Sequence, residues 1–124
     1  MPGFRKPPAE LVDRFREAVA GVEGAELKQM FGMPAAFING NMAAGVFEDA
    51  IMVRLSEADR AARLAEGWSL FEPMGGRPMR EYVGVPPAML GDADAIRGLI
   101  EEAATFVRTM PPKAPKPRKS KISR

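Results

Sequence analysis

Apolar and polar residues along the middle of the chain predict a series of short β-strands. Three apolar runs, residues 34–39, 42–47 and 50–55, are separated by the pairs Asn39-Gly40 and Glu48-Asp49. Asn-Gly is the preferred pair for a two-residue type I′ turn, because both central residues of that turn adopt φ > 0. The pattern therefore predicts an antiparallel meander of three strands.

The segment before this meander is consistent with the beginning of a strand. Leu27 to Met30 favour an extended conformation, which Gly32 and Pro34 then interrupt with a bulge or bend. After the meander, residues 68–71 and 79–85 predict two more strands around a glycine-rich turn, and Pro86-Pro87 ends the second one.

Helices are predicted where apolar residues recur at spacings of three and four. The first runs from about Pro8 to Ala20 and ends at Gly21 and Gly24. Its opposite face is predicted to be a solvated surface, formed by Asp13, Arg14, Arg16 and Glu17.

A second and a third helix follow the two groups of strands. Ser56 occupies an N-cap position before an alanine-rich segment that ends at Gly67, and so many small residues predict close packing on a neighbour. Asp92 or Asp94 caps the last helix, which stops at Pro111-Pro112.

These elements predict an α+β domain with an antiparallel sheet, in the order helix, three strands, helix, two strands, helix. A single core between the sheet and the helices is expected to contain Val46, Val53, Leu55, Phe71, Val83, Ile100, Phe106 and Val107. A single-layered sheet has a second face or an edge to cover, which makes a homodimer an expectation.

Composition narrows the possible chemistry. The 124 residues include no cysteine and no histidine, which excludes disulfides, thiolate sites, the usual general base and the commonest metal ligand. Carboxylates are plentiful, but each fits a turn, a cap or a helix surface. We therefore predict no catalytic residue, no cofactor and no metal, and treat an enzyme of unknown reaction only as a third alternative.

No apolar signal core or membrane-length segment occurs, so the cytoplasm is the expected location.

Charge divides the chain into two parts. Residues 1–110 hold 12 basic and 16 acidic residues, whereas residues 111–124 hold six basic residues and no acidic one. We predict a folded domain over 1–110 and a disordered basic tail over 111–124, because the tail has too few apolar residues to offset the entropy of ordering. Its cations could bind nucleic acid without sequence preference, or serve only solubility; they are Lys113, Lys116, Arg118, Lys119, Lys121 and Arg124.

The glycine-rich turn offers a weaker candidate. Gly75-Gly76-Arg77 is not followed by the lysine and serine of a phosphate-binding loop, so a plain hairpin turn is the preferred interpretation. Arg77 and Arg80 on this hairpin remain candidate contacts for an acidic partner. The nine methionines are interpreted as core residues rather than as an adaptable binding surface.

Several short motifs nevertheless resemble a known family in their order and spacing. They are Met30-Phe31-Gly32, residues 37–42, Gly45-Val46, residues 52–55, residues 75–79, Tyr82-Val83 and residues 110–113. Over about residues 9–113 the chain resembles the amino-terminal domain of the TfoX/Sxy competence regulators, and in particular their small stand-alone bacterial members.

This resemblance implies a secretion-chaperone-like α+β fold, and it carries over no catalytic residue. Met30, Phe31, Gly32 and Gly40 match the family only as structural fingerprint positions. The leading functional hypothesis is a non-enzymatic regulatory or adaptor module that acts through contacts with an unidentified protein. The alternative from another class is a non-specific nucleic-acid-associated protein that uses its basic tail.

Overall fold

A computed structural model describes residues 6–30, 32–71 and 79–112, except for the side chains of Met30, Met79 and Arg80. The helices are α1 (Ala9–Ala20), α2 (Glu57–Ala65) and α3 (Ala93–Val107), and a single 3₁₀ turn covers Pro87–Met89. The strands are β1 (Glu26–Met30), β2 (Met33–Ile38), β3 (Asn41–Phe47), β4 (Ala50–Arg54), β5 (Ser69–Phe71) and β6 (Met79–Gly84). None of the described helices is both long and apolar enough to cross a bilayer.

The six strands form one antiparallel sheet in the order β1-β2-β3-β4-β6-β5. The predicted α+β class and order of elements are confirmed, with one additional strand at the start. Gly32 adopts a φ of +78°, so the chain reverses there and β1 pairs with β2 as a hairpin. The register shift in this region lies further along, between Ala36 and Phe37 where β2 meets β3.

Both predicted turns of the meander are present. Asn39 and Gly40 have φ of 54° and 82°, as a type I′ turn requires. In the second turn Glu48 alone is in the left-handed region, with φ of 54°. Its backbone N–H lies 3.1 Å from the Sδ of Met33.

One face of the sheet packs against α1 and α3 and forms the main core. Val46, Val53, Leu55, Val83, Ile100 and Val107 are buried there as predicted. The prediction is wrong for two residues, Phe106 and Phe71. Phe106 is only partly buried and packs against the rim of this core. Phe71 belongs to a second cluster with Met52 and Tyr82, whose side chains alternate with core residues along β4 and β6 and therefore face the other side of the sheet.

The expected close packing of α2 is also wrong. The Ser56 hydroxyl caps the helix by accepting a hydrogen bond from the Asp59 N–H, as predicted. None of the nine residues of α2 is buried, however, and Leu64 is 38% exposed. The helix lies beside β5 and β6 and is attached through Arg63, whose guanidinium contacts Glu102 of α3 at 2.7 Å and lies 5.0 Å from the centre of the Trp68 ring.

Candidate partner-binding groove

The candidate contacts predicted from sequence lie mostly beyond the described residues. This applies to Arg77 and to all six cations of the tail, Lys113, Lys116, Arg118, Lys119, Lys121 and Arg124. Arg80 belongs to β6, but its side chain is not described. Their roles, and the division of the chain at residue 110, therefore stay predictions.

The fingerprint positions have structural roles where they are described. Gly32 and Gly40 both have positive φ, at 78° and 82°, in the turns that follow β1 and β2. Met30 ends β1, and Phe31 lies outside the described residues. The two glycines are needed because L side chains rarely adopt this backbone conformation.

A groove of about 500 Å³ lies between α1 and the β1–β2 hairpin. One face of α1 supplies Ala9, Val12, Asp13 and Arg16, which recur at spacings of three and four. Its other lining residues are Lys6, Pro7, Gln29, Gly32 and Pro34. The described part of the hairpin thus contributes Gln29, a glycine and a proline to this corner. We call this cleft the α1–β1 groove.

A smaller hollow of about 260 Å³ continues from the α1–β1 groove along β1. The two share Arg16, Gln29 and Pro34, and the hollow adds Leu27 and Lys28. Leu27 is 43% exposed, more than any other large apolar residue described. Together they form an open channel that runs beside the edge strand of the sheet.

The charges of the groove favour an acidic ligand. Among the described residues that line the groove, Lys6 and Arg16 outnumber the carboxylate of Asp13, and all three side chains are exposed to solvent. Pro7, Val12 and Pro34 add apolar surface between them. Exposed charges of this kind act at short range and are weakened by salt. The groove is therefore suited to binding a segment that combines negative charge with apolar side chains.

Two further polar clusters stabilise the fold. Arg54 contacts Glu81 at 2.7 Å and donates to the Met42 carbonyl at 3.3 Å, and its guanidinium lies 5.6 Å from the Tyr82 ring centre. The Tyr82 hydroxyl donates to the same carbonyl at 3.3 Å, and burial raises the pKa of this hydroxyl above its usual value. These contacts connect β3, β4 and β6 on the face opposite the helices.

The second cluster attaches α2 to α3. Arg63 contacts Glu102 at 2.7 Å and Glu66 at 3.6 Å. The hydrogen bond to Glu102 raises the pKa of the guanidinium above its usual value. The described residues contain no group of three or more carboxylates that could hold a metal ion.

Sequence reasoning placed Arg16 on a plain solvated surface and did not single out Leu27. Helical periodicity does put Ala9, Val12, Asp13 and Arg16 on one face. Periodicity does not show that this face of α1 lies beside the corner of a sheet. That arrangement depends on the strand order, which the local pattern of apolar and polar residues does not encode.

Comparison with known proteins agrees with the fold. The family model described as the TfoX N-terminal domain matches residues 17–107. This match covers most of the chain, including β1 to β6 and all of α3. No curated protein matches the chain. The matched region spans all six strands, α2, α3 and the last turn of α1, and the chain belongs to the TfoX N-terminal domain family.

Proposed function

We propose that the chain is a non-enzymatic regulatory or adaptor module that acts in the cytoplasm through protein contacts, as in TfoX-type competence regulation. Membership of the TfoX N-terminal domain family supports a regulatory role of this kind. The observation that carries the proposal is the α1–β1 groove, an open cleft whose lining combines apolar residues with a surplus of positive charge among the described residues.

The partner in this proposal presents an acidic, extended segment to the groove. Its carboxylates meet Lys6 and Arg16, and an apolar side chain enters between Val12 and Pro34. A cleft of about 500 Å³ lies within the range of roughly 300–1,000 Å³ that is usual for ligand pockets. Charges on the rim of an interface mainly speed association and set specificity, so binding should weaken as salt rises.

A charge reversal in the groove tests this proposal. The partner is captured from extract of the native cells by crosslinking, identified, purified and then titrated with each variant. Arg16→Glu should weaken its binding about threefold to tenfold, because an attractive contact is replaced by a repulsive one. Arg97→Glu is the matched control, since Arg97 is an exposed arginine on α3 outside the groove.

The control variant should bind with nearly the affinity of the original chain. Equal affinities for the two variants would place the partner elsewhere and contradict the proposed groove. Circular dichroism of both variants checks that each remains folded.

A further inference from the structure

The outer edge of β1 presents backbone groups that no described strand pairs. β1 lies at one end of the sheet and contacts β2 alone. Gln29 is opposite Pro34, and Pro34 has no N–H to donate. The Pro34 carbonyl oxygen points towards Gly45 of β3, since it lies 3.7 Å from the position that a Cβ atom on Gly45 would occupy. Neighbouring residues of an antiparallel strand point their backbone groups to alternate sides. Those of Leu27 and Gln29 are therefore directed away from β2, to the open edge.

The side chains on this edge also alternate between the two faces. Leu27 is opposite Ala36, which belongs to the main core, so Leu27 lies on the helix-covered face beside the smaller hollow. Glu26 and Lys28 lie on the other face, where the Lys28 ammonium is 5.1 Å from the centre of the Phe37 ring. The edge thus presents one exposed apolar side chain between two opposite charges.

A second copy of β1 complements this edge in one antiparallel register. If a two-fold axis passes beside Leu27, Leu27 meets Leu27 of the second copy, and each Glu26 is opposite a Lys28. The two-fold register centred on Lys28 would instead place two lysines directly opposite each other, which is destabilising. Charge and apolar contact therefore select the register centred on Leu27.

We infer that two copies of this chain associate through their β1 edges in the register centred on Leu27, which makes one continuous sheet across the dimer. The backbone groups of Leu27 pair across the axis. The Gln29 N–H meets the Ala25 carbonyl of the second copy, since the Ala25 N–H already donates to the Val22 carbonyl of its own chain at 3.3 Å. The two leucine side chains cover each other beside the hollow. The part of the groove near Lys6 and Val12 contributes no residue to this pairing, so this inference does not depend on the proposed partner.

Charge reversal with rescue tests the register. Sedimentation equilibrium should find a dimer for the original chain. Glu26→Lys and Lys28→Glu should each weaken its association roughly tenfold to thirtyfold, because two attractive pairs become two repulsive ones. An equimolar mixture of the two variants should form heterodimers, since every pair is then opposite in sign, and the double variant Glu26→Lys/Lys28→Glu should again form a homodimer.

A crosslink gives an independent measurement. The chain has no cysteine, so Leu27→Cys introduces a single thiol. Directly opposite Cα atoms in a hydrogen-bonded antiparallel pair lie about 5.5 Å apart, which suits a disulfide. Leu27→Cys should form a covalent dimer on mild oxidation. Leu64→Cys, at an exposed leucine of similar accessibility on α2, should not.

Two results would overturn the inference. One is a chain that stays monomeric at its highest soluble concentration, which would mean that the β1 edge does not bind a second copy. The other is a dimer that neither reversal weakens, which would place the interface on another surface. Loss of the proposed partner by Arg16→Glu changes neither result, because Arg16 forms no part of the β1 pairing.

Discussion

At the scale of single residues, Tyr82 is the clearest example of a side chain whose chemistry its surroundings change. It is nearly buried between Arg54 and the second apolar cluster, and its hydroxyl donates to the Met42 carbonyl. Removal from water disfavours the charged phenolate, and this effect exceeds the opposing attraction of Arg54. The residue therefore stabilises the sheet in its neutral form.

The raised pKa predicts a specific alkaline titration. Tyr82 is the only tyrosine, so tyrosinate absorbance near 295 nm reports this residue alone. Its midpoint should lie above 10 in the folded protein and return to about 10 in denaturant. Between these two pH values the unfolded chain releases the proton first, so the free energy of unfolding should fall as pH rises. In Tyr82→Phe the free energy of unfolding should not show this contribution to its decrease with pH. A midpoint at or below 10 in the folded protein would contradict the prediction.

At the scale of elements, α2 and α3 have the same kind of cap but different positions in the fold. The Asp92 carboxylate accepts hydrogen bonds from the N–H groups of Asp94 and Ala95 at 3.1 Å. Six residues of α3 are buried, whereas α2 buries none. Helical stability in proteins comes mainly from the packing of one face. Loss of a cap should therefore have different consequences in the two helices.

Replacing each cap by alanine tests this difference. Asp92→Ala should lower the free energy of unfolding by about 1 kcal/mol, measured by urea denaturation, because α3 unfolds only with the core. Ser56→Ala should instead speed hydrogen exchange within α2 and change global stability by less. Equal global losses for the two variants would mean that α2 is as strongly coupled to the core as α3.

At the scale of the whole molecule, one hydrogen bond connects the end of the described chain to the sheet. The Asn41 amide donates to the Pro111 carbonyl at 3.0 Å, and Asn41 is the only buried polar residue described, at 8% exposure. The segment after α3 is therefore attached to the first residue of β3. Residue 110, where sequence reasoning ended the domain, lies just before this attachment.

Two truncations separate the attached segment from the basic tail. A chain that ends at Pro112 keeps the bond and should unfold at nearly the same denaturant concentration as the full chain. A chain that ends at Met110 loses it and should be about 1–3 kcal/mol less stable, because a buried amide is left without its acceptor. With Asn41→Ala introduced into both, the difference between them should shrink or vanish. A difference that persists would show that other contacts of Pro111 and Pro112 cause it.

The sequence by itself determined the features that depend on neighbouring residues. The Asn39-Gly40 turn, the Ser56 and Asp92 caps and the buried stripe of α3 all follow from local backbone preference and helical spacing. The resemblance in motif order likewise identified the family that the comparison then showed. Such signals act over a few residues, so they can be read without knowing which elements pack together.

Only the tertiary structure decided which surfaces remain open. Leu27 has the same apolar character as buried leucines, and it is exposed because β1 is the end strand of the sheet. Phe71 faces away from the helices because its neighbour Leu70 is opposite Val83 and packs against the main core, and neighbouring residues of a strand point to opposite faces. Arg16 borders a groove because α1 lies beside the corner of the hairpin that contains Gln29, Gly32 and Pro34. These outcomes depend on strand order and on contacts between residues far apart in the chain, which no local pattern of apolar and polar residues encodes.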